Sequence, residues 1–168
     1  MANPKINIKV KNFGTMSAEL YPDKAPNTVA NFLSLIEKDF FCGMIFHRII
    51  KGFMIQGGGY TEDMMHKDAD SIRGEFKANG FMQNDLKHTR GVLSMARTMD
   101  PNSASSQFFV MHMDAPHLDA QYAGFGKLTD GFDVLDAIAS VKTGSYGPYM
   151  QDVPRTAVVI DRIEVVSK

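Results

Sequence analysis

One stretch restricts the fold of this chain more than any other: residues 46–59, with the sequence FHRIIKGFMIQGGG. Apolar and β-branched residues dominate it, which predicts two short strands joined by a turn at Gly52 and followed by a glycine run. An isolated arginine in a strand usually faces solvent. Here, however, Arg48, Met54 and Gln56 lie at even offsets, so a continuous strand would place them on one face. That face is too polar for a core and too apolar for a wet surface, which indicates the wall of a groove.

Strand signals outnumber helix signals in the rest of the chain. Residues 5–11 alternate polar and apolar side chains, which predicts a half-buried strand, and residues 15–20 return as its hairpin partner. Further strands are predicted at residues 91–96, 106–111, 124–128 and 157–166. Many short strands predict a mainly β fold, a closed antiparallel barrel with helices covering its ends.

Helical spacing occurs in two segments. In the first, Asn27 or Thr28 can cap a helix of about three turns. Its apolar face consists of Val29, Phe32, Leu33 and Ile36. The second segment follows Gly131, and its apolar face consists of Val134, Leu135 and Ile138. Both segments therefore predict amphipathic helices that pack on the barrel.

A polar segment, residues 61–84, separates the opening stretch from the later strands. It carries glycines and charges with little periodicity, which predicts a long ordered loop of the kind that usually serves a binding or catalytic site. Residues 99–103 form the second loop signal, because their Asp, Pro and Asn are typical turn residues.

Length and composition restrict the class of protein. The 168 residues fit one domain, residues 1–168, and the formal net charge of −1 argues against nucleic acid or anionic membranes as partners. No apolar run approaches the roughly 20 residues of a membrane span, and no signal-peptide pattern is present. The single cysteine, Cys42, fits a reducing compartment. We therefore expect a cytoplasmic protein.

Motifs for cofactor, metal or nucleophile chemistry are weak. The glycine run at 57–59 is followed by neither a Lys-Ser/Thr pair nor a helix, so a phosphate-binding loop is not predicted. The five histidines lack the spacing of metal ligands. No nucleophile elbow marks a Ser/His/Asp set, and nothing near Cys42 marks a base for it. We expect neither a metal nor an organic cofactor.

Five blocks in order resemble the signature of one family. They are FHRII at 46–50, GFMIQGG at 52–58, GVLSMA at 91–96, SQFF at 106–109 and FGK at 125–127. These blocks are similar to those of cyclophilins, and the likeness covers essentially the whole chain, most like single-domain bacterial members. The resemblance implies a closed eight-stranded antiparallel β-barrel capped by two α-helices, peptidyl-prolyl cis–trans isomerase activity and no cofactor. It assigns the family's active-site positions to Arg48, Phe53, Met54, Gln56, Ala96, Gln107, Phe109 and Leu118.

Three substrate-groove positions depart from many eukaryotic relatives. His117 stands where they carry Trp, Tyr122 where they carry His, and Arg97 where they carry Asn. The Arg97 position usually contacts substrate through its backbone, so its side chain is expected to be free to vary. The loop at residues 62–71, which borders the pocket for residues preceding proline, lacks the family's glycine-rich run, so a changed sequence preference is expected. The missing Trp predicts weak cyclosporin binding.

Two functional classes remain open at this point. The first is an isomerase that acts on proline-containing peptides and on unfolded or folding polypeptides, with Arg48 and Gln56 as catalytic residues. The second is a non-catalytic proline-peptide-binding module on the same scaffold. Rotation about an X–Pro bond breaks no covalent bond, so the missing nucleophile is compatible with the first. The intact arginine favours the isomerase, and a monomer is expected.

Overall fold

A computed structural model describes residues 3–148 and 150–167. Within them the chain forms ten strands and two α-helices. In chain order they are β1 (Lys5–Val10), β2 (Gly14–Leu20), α1 (Pro26–Glu37), β3 (Arg48–Ile50), β4 (Met54–Gly57), β5 (Val92–Met95), β6 (Phe108–Met111), β7 (Gly124–Asp130), α2 (Phe132–Ala139), β8 (Thr143–Tyr146), β9 (Met150–Pro154) and β10 (Ile160–Ser167). Neither described helix is long and apolar enough to cross a membrane.

Eight of the strands form one curled antiparallel sheet in the order β10-β1-β2-β7-β5-β6-β4-β3. The predicted mainly β fold with eight antiparallel strands and two helices is thereby confirmed. The two edge strands, β3 and β10, do not pair with each other. Backbone hydrogen bonds instead join the segments that precede them. Gly43 N–H donates to Ile160 O over 2.9 Å, Ile160 N–H to Met44 O over 2.7 Å, and Phe46 N–H to Val158 O over 3.0 Å. These bonds join the chain that leads into β3 to the chain that leads into β10, so the curled sheet is bridged there although its edge strands do not pair.

Strands β8 and β9 form a separate two-stranded hairpin that the sequence pattern did not predict. Its residues are rich in Gly, Pro and polar side chains, so local propensity points to turns. The hairpin packs against β3 at the open edge of the sheet. Tertiary contact, which stabilises strands that lack their own propensity, explains why it forms here.

Phenylalanines fill the centre of the barrel. The ring of Phe32 on α1 lies 5.0 Å from those of Phe41 and Phe125 and 5.2 Å from that of Phe108, measured between centroids. All four side chains are fully buried, and each contributes about 1.5–3 kcal/mol by leaving water. The apolar faces predicted for both helices point into this core, except that Leu35 is buried on α1 while Leu33 is only half-buried.

The start of α1 differs from the prediction. Neither Asn27 nor Thr28 caps it, because the helix already begins at Pro26 and the residue before it, Ala25, has no capping side chain. A carboxylate from the long loop replaces the cap. Glu75 accepts bonds from Thr28 N–H at 2.6 Å, from Thr28 Oγ1 at 2.7 Å and from Asn27 N–H at 3.3 Å. The loop is therefore fixed to the helix by a fully buried acidic group.

Candidate functional site

The register of β3, β4 and β6 brings the arginine and glutamine of the opening stretch together. Arg48 lies directly opposite Gln56 on the neighbouring strand, and Gln56 lies opposite Phe109 on the next. Directly opposed residues of an antiparallel pair face the same side of a sheet. The three strands therefore place a cation, an amide and an aromatic ring side by side.

The turn between β3 and β4 is held in place by the chain that follows β6. Phe53 O accepts from His112 N–H at 2.9 Å, and Gly52 N–H donates to the ring nitrogen Nδ1 of His112 at 2.8 Å. These bonds fix the orientation of Phe53, which has the opposite parity to Arg48 in sequence. Its ring reaches the same cavity as Arg48 because the turn, not strand alternation, sets its direction.

Nine predicted site residues line one small cavity of about 140 Å³, here called the central cavity. They are Arg48, Phe53, Met54, Gln56, Ala96, Arg97, Phe109, Leu118 and Tyr122. Pockets for drug-sized ligands run from about 300 to 1,000 Å³, so this one suits a single small ring. Its lining combines apolar side chains with the arginine and the glutamine.

Two further predicted residues, Gln107 and His117, lie beside the central cavity and do not line it. Gln107 Oε1 accepts from Gln56 Nε2 at 3.0 Å, and Gln56 Oε1 accepts from Arg48 Nη1 at 3.4 Å. This relay turns the oxygen of Gln56 towards the guanidinium and orients it. The exposed ring of His117 lies 5.8 Å from the ring of Phe53, so it extends the apolar rim.

Gly59 leaves room for the side chain of Gln107, which bonds Gln56, and no sequence motif indicated this role. A Cβ atom at this position would come within 2.5 Å of the side chain of Gln107. Any larger residue would therefore push Gln107 away from Gln56. Close packing against Gln107 therefore explains the glycine at position 59, where no phosphate-binding loop was predicted.

The side chain of Arg97 is held in place by several contacts. Its Nη2 and Nε donate to Gln121 O at 2.7 and 3.3 Å, and its Nη1 donates to Thr98 O at 3.0 Å. The guanidinium also lies 4.8 Å from the ring of Phe76 and 4.7 Å from that of Tyr122. Arg97 thus holds the ring of Tyr122 in place. The rings of Tyr122 and Phe109 pack edge to face, with 5.8 Å between their centroids.

His88 supports the ring of Phe109 and was not singled out in the sequence. Its ring stacks on Phe109 at 6.2 Å, Nε2 lies 2.8 Å from Ser94 Oγ, and Nδ1 lies 3.1 Å from Asp119 Oδ1. Burial lowers the pKa of His88, although the neighbouring Asp119 acts in the opposite direction. His88 is therefore neutral near pH 7, and it supports Phe109 through its hydrogen bonds and its ring contact. This role is visible only from the tertiary contacts.

Two larger cavities flank the central one. The His66 cavity, about 220 Å³, shares Gln56, Ala96 and Arg97 with it. Its remaining lining residues are His66, Asp68, Thr98, Ser103, Ser105 and Gln107. The Asp152 cavity, about 330 Å³, shares Arg48 with the central one and is completed by His47, Met150, Gln151 and Asp152. The central cavity thus shares lining residues with both of the others, and the three together are called the groove.

Arg48 and His47, which both line the Asp152 cavity, keep one protonation state near neutral pH. Arg48 stays protonated at every working pH. Burial, assisted by the charge of Arg48, lowers the pKa of His47 to about 4, so this imidazole is neutral at pH 7. Among the described residues, no group of three or more His, Cys, Asp or Glu side chains is placed to hold a metal ion.

Comparison with known proteins gives a consistent result. Residues 5–165 match the family model described as cyclophilin type peptidyl-prolyl cis-trans isomerase/CLD. The chain is 43% identical over 173 residues to a peptidyl-prolyl cis-trans isomerase of Acinetobacter baylyi, covering 99% of this chain and 88% of the relative. It is 42% identical over 163 residues to peptidyl-prolyl cis-trans isomerase B of Escherichia coli, covering 92% of this chain and 95% of the relative.

A solved structure shows the same fold. The crystal structure of a cyclophilin type peptidyl-prolyl cis-trans isomerase from Cryptosporidium parvum, in the presence of the dipeptide Ala-Pro, superposes with a TM-score of 0.79 at 30% sequence identity. The match covers 98% of this chain and 99% of that one.

Proposed function

The chain belongs to the cyclophilin-type peptidyl-prolyl cis–trans isomerases, and we propose that its central cavity holds the proline ring while Arg48 promotes rotation of the bond before it. The observation that carries this assignment of the site is a cation that lines a small cavity together with apolar side chains. Phe53, Met54, Phe109 and Leu118 supply those side chains.

The chemistry requires stabilisation of a twisted bond. The X–Pro bond has partial double-bond character with a barrier of about 18–20 kcal/mol, and it isomerises unaided in roughly tens to hundreds of seconds. Twisting localises the lone pair on the proline nitrogen, which then accepts a hydrogen bond. Arg48 donates that bond, and Gln56 holds the guanidinium in position at 3.4 Å. No nucleophile, general base or cofactor takes part.

The rate enhancement typical of an enzyme is larger than one hydrogen bond can supply. A turnover of ~10³ per second, near the upper end of the range typical of enzymes, exceeds the spontaneous rate by roughly five decades, which corresponds to about 7 kcal/mol. A hydrogen bond from a charged donor supplies about 1.5–3 kcal/mol. Exclusion of water by the apolar side chains and clamping of the flanking peptide supply the rest.

Isomerisation of a short proline peptide, followed in a protease-coupled assay, tests this function. We expect catalysis by the unmodified protein and a large loss of turnover in Arg48→Ala and Arg48→Lys. Peptide binding without any acceleration would support the alternative, a non-catalytic module on the same scaffold.

The substrates proposed here are proline-containing peptides and unfolded or folding polypeptides, which makes assistance to protein folding the cellular role. The dipeptide Ala-Pro named with the related crystal structure supports a proline-containing ligand. We further propose a monomeric, single-domain protein, residues 1–168, acting in the cytoplasm without nucleic acid or membrane partners. The single cysteine, Cys42, supports a reducing compartment.

Activity should be nearly independent of pH from about pH 6 to 8. Arg48 keeps its proton, and the pKa of His47, about 4, lies well below this range. The unfolded chain binds a proton at His47 near its ordinary pKa of ~6.5, so stability falls as the pH is lowered from there towards 4. Turnover measured across the range checks this, and a bell-shaped profile inside it would reveal a titrating acid or base.

Cyclosporin, a cyclic peptide that many cyclophilins bind, should inhibit weakly. An indole offers a large apolar face and an N–H donor, whereas the ring of His117 is smaller and its donor depends on the tautomer. Losing one such contact costs on the order of 1.4–3 kcal/mol, about ten- to a hundredfold in affinity.

We expect His117→Trp to tighten cyclosporin at least about fivefold by restoring that contact. Turnover of small peptides should change little, because His117 does not line the central cavity. Titration of both proteins in one coupled assay decides the matter. Equal inhibition constants would show that this position does not limit affinity.

A further inference from the structure

The Asp152 cavity lies beside Arg48 and has no part in the proposed rotation of the bond. It is formed where the β8–β9 hairpin packs against β3, and its volume of about 330 Å³ exceeds that of the central cavity. Because the two cavities share Arg48, a peptide bound at the central cavity reaches this one without leaving the surface.

Three consecutive residues of β9 line this cavity, which a regular strand does not allow. Side chains of a strand alternate between its faces, yet Met150, Gln151 and Asp152 all face the same space. The pairing explains this: it passes from Gly144↔Val153 directly to Tyr146↔Met150, leaving two residues of β9 opposite one of β8. That is a β-bulge, a device that redirects a side chain.

The bulge places Asp152 in a strained conformation. Its φ of +61° lies in the left-handed region, which costs most non-glycine residues about 1–2 kcal/mol and which Asp and Asn tolerate better than other side chains. A glycine would relieve the strain but would remove the carboxylate. The residue is therefore held where its charge faces the cavity.

The carboxylate of Asp152 has no partner within the described residues. None of their hydrogen bonds or ion pairs engages it, and the side chain is half-buried. Two other ionisable groups line the cavity. His47 is neutral at pH 7, and Arg48 is already bonded to Gln56. An incoming basic side chain would thus find a carboxylate with free acceptor positions, beside an arginine whose charge the neutral amide of Gln56 does not cancel.

We propose that the Asp152 cavity receives the side chain of one of the first two substrate residues after proline, and that Asp152 selects a basic side chain there. This inference rests on the proposed function, with the residues preceding proline expected at the His66 cavity, which the loop at residues 62–71 borders through His66 and Asp68. Because the charge of Asp152 is the source of the selection, removing that charge should remove the difference between lysine and glutamate.

Exchange NMR on two series of short peptides tests the proposal at pH 7 and low salt. Each series carries Lys, Gln or Glu, either at the two positions after proline or at the two before it. The proteins are the unmodified chain, Asp152→Asn and the charge-matched control Asp161→Asn. Asn accepts the left-handed backbone, and Asp161 is an exposed residue of β10 that lines none of the three cavities.

For the unmodified protein we expect kcat/KM to favour Lys over Glu after proline by about fivefold, as for a partly exposed ion pair. The preference should fall close to one in Asp152→Asn, persist in Asp161→Asn and weaken in 1 M NaCl. A preference within twofold in the unmodified protein would overturn the inference. So would a preference that survives Asp152→Asn or appears only before proline. If the Gln peptides are not isomerised at all, the proposed function itself has failed.

Discussion

Arg48→Ala should lose most of the isomerase activity, with kcat falling about ten- to a hundredfold. That range corresponds to the 1.5–3 kcal/mol of one hydrogen bond from a charged donor. Arg48→Lys should also be poor, because an ammonium lacks the planar fork that bonds Gln56 and the proline nitrogen together. Peptide affinity should fall less than turnover, since the bond forms mainly in the twisted state.

Protease-coupled turnover and a separate binding titration measure both effects on the same peptide. Arg162→Ala is the matched control, because Arg162 is an exposed residue of β10 that lines none of the three cavities. It should retain full activity. Turnover of Arg48→Ala within about twofold of the unmodified protein would remove Arg48 from the mechanism.

Glu75→Ala should lower the free energy of unfolding by about 3 kcal/mol. The carboxylate is fully buried and accepts three bonds at the start of α1. Losing a helix cap costs roughly 0.5–2 kcal/mol, and a buried donor left without a partner adds about 1–3 kcal/mol. Glu75→Gln keeps one acceptor oxygen, so its loss should be smaller.

Urea unfolding of the two variants measures these changes. Glu62→Ala is the control, because Glu62 belongs to the same loop but is exposed, and its replacement should change stability by less than about 0.5 kcal/mol. A loss below that level in Glu75→Ala would mean that water or another group caps the helix equally well.

The wall of Arg48 and Gln56 was predictable because it depends on local rules. An even offset within one stretch and a turn at Gly52 are enough to put both residues on one face. The helix faces around Phe32 and Leu135 follow from spacing in the same way. The ordered sequence blocks indicated the family, and membership of that family in turn implied the eight-stranded fold.

Contacts across long sequence separations decided the rest. Glu75 lies 47 residues from the helix start that it caps, and no local pattern marks it. Arg97 is held by Phe76, Tyr122 and Gln121, and no local pattern connects these residues to it. The β-bulge at Asp152 lies in a hairpin whose residues favour turns. Sequence periodicity reports which face of an element is buried, whereas the partner of a polar group depends on where the chain returns in three dimensions.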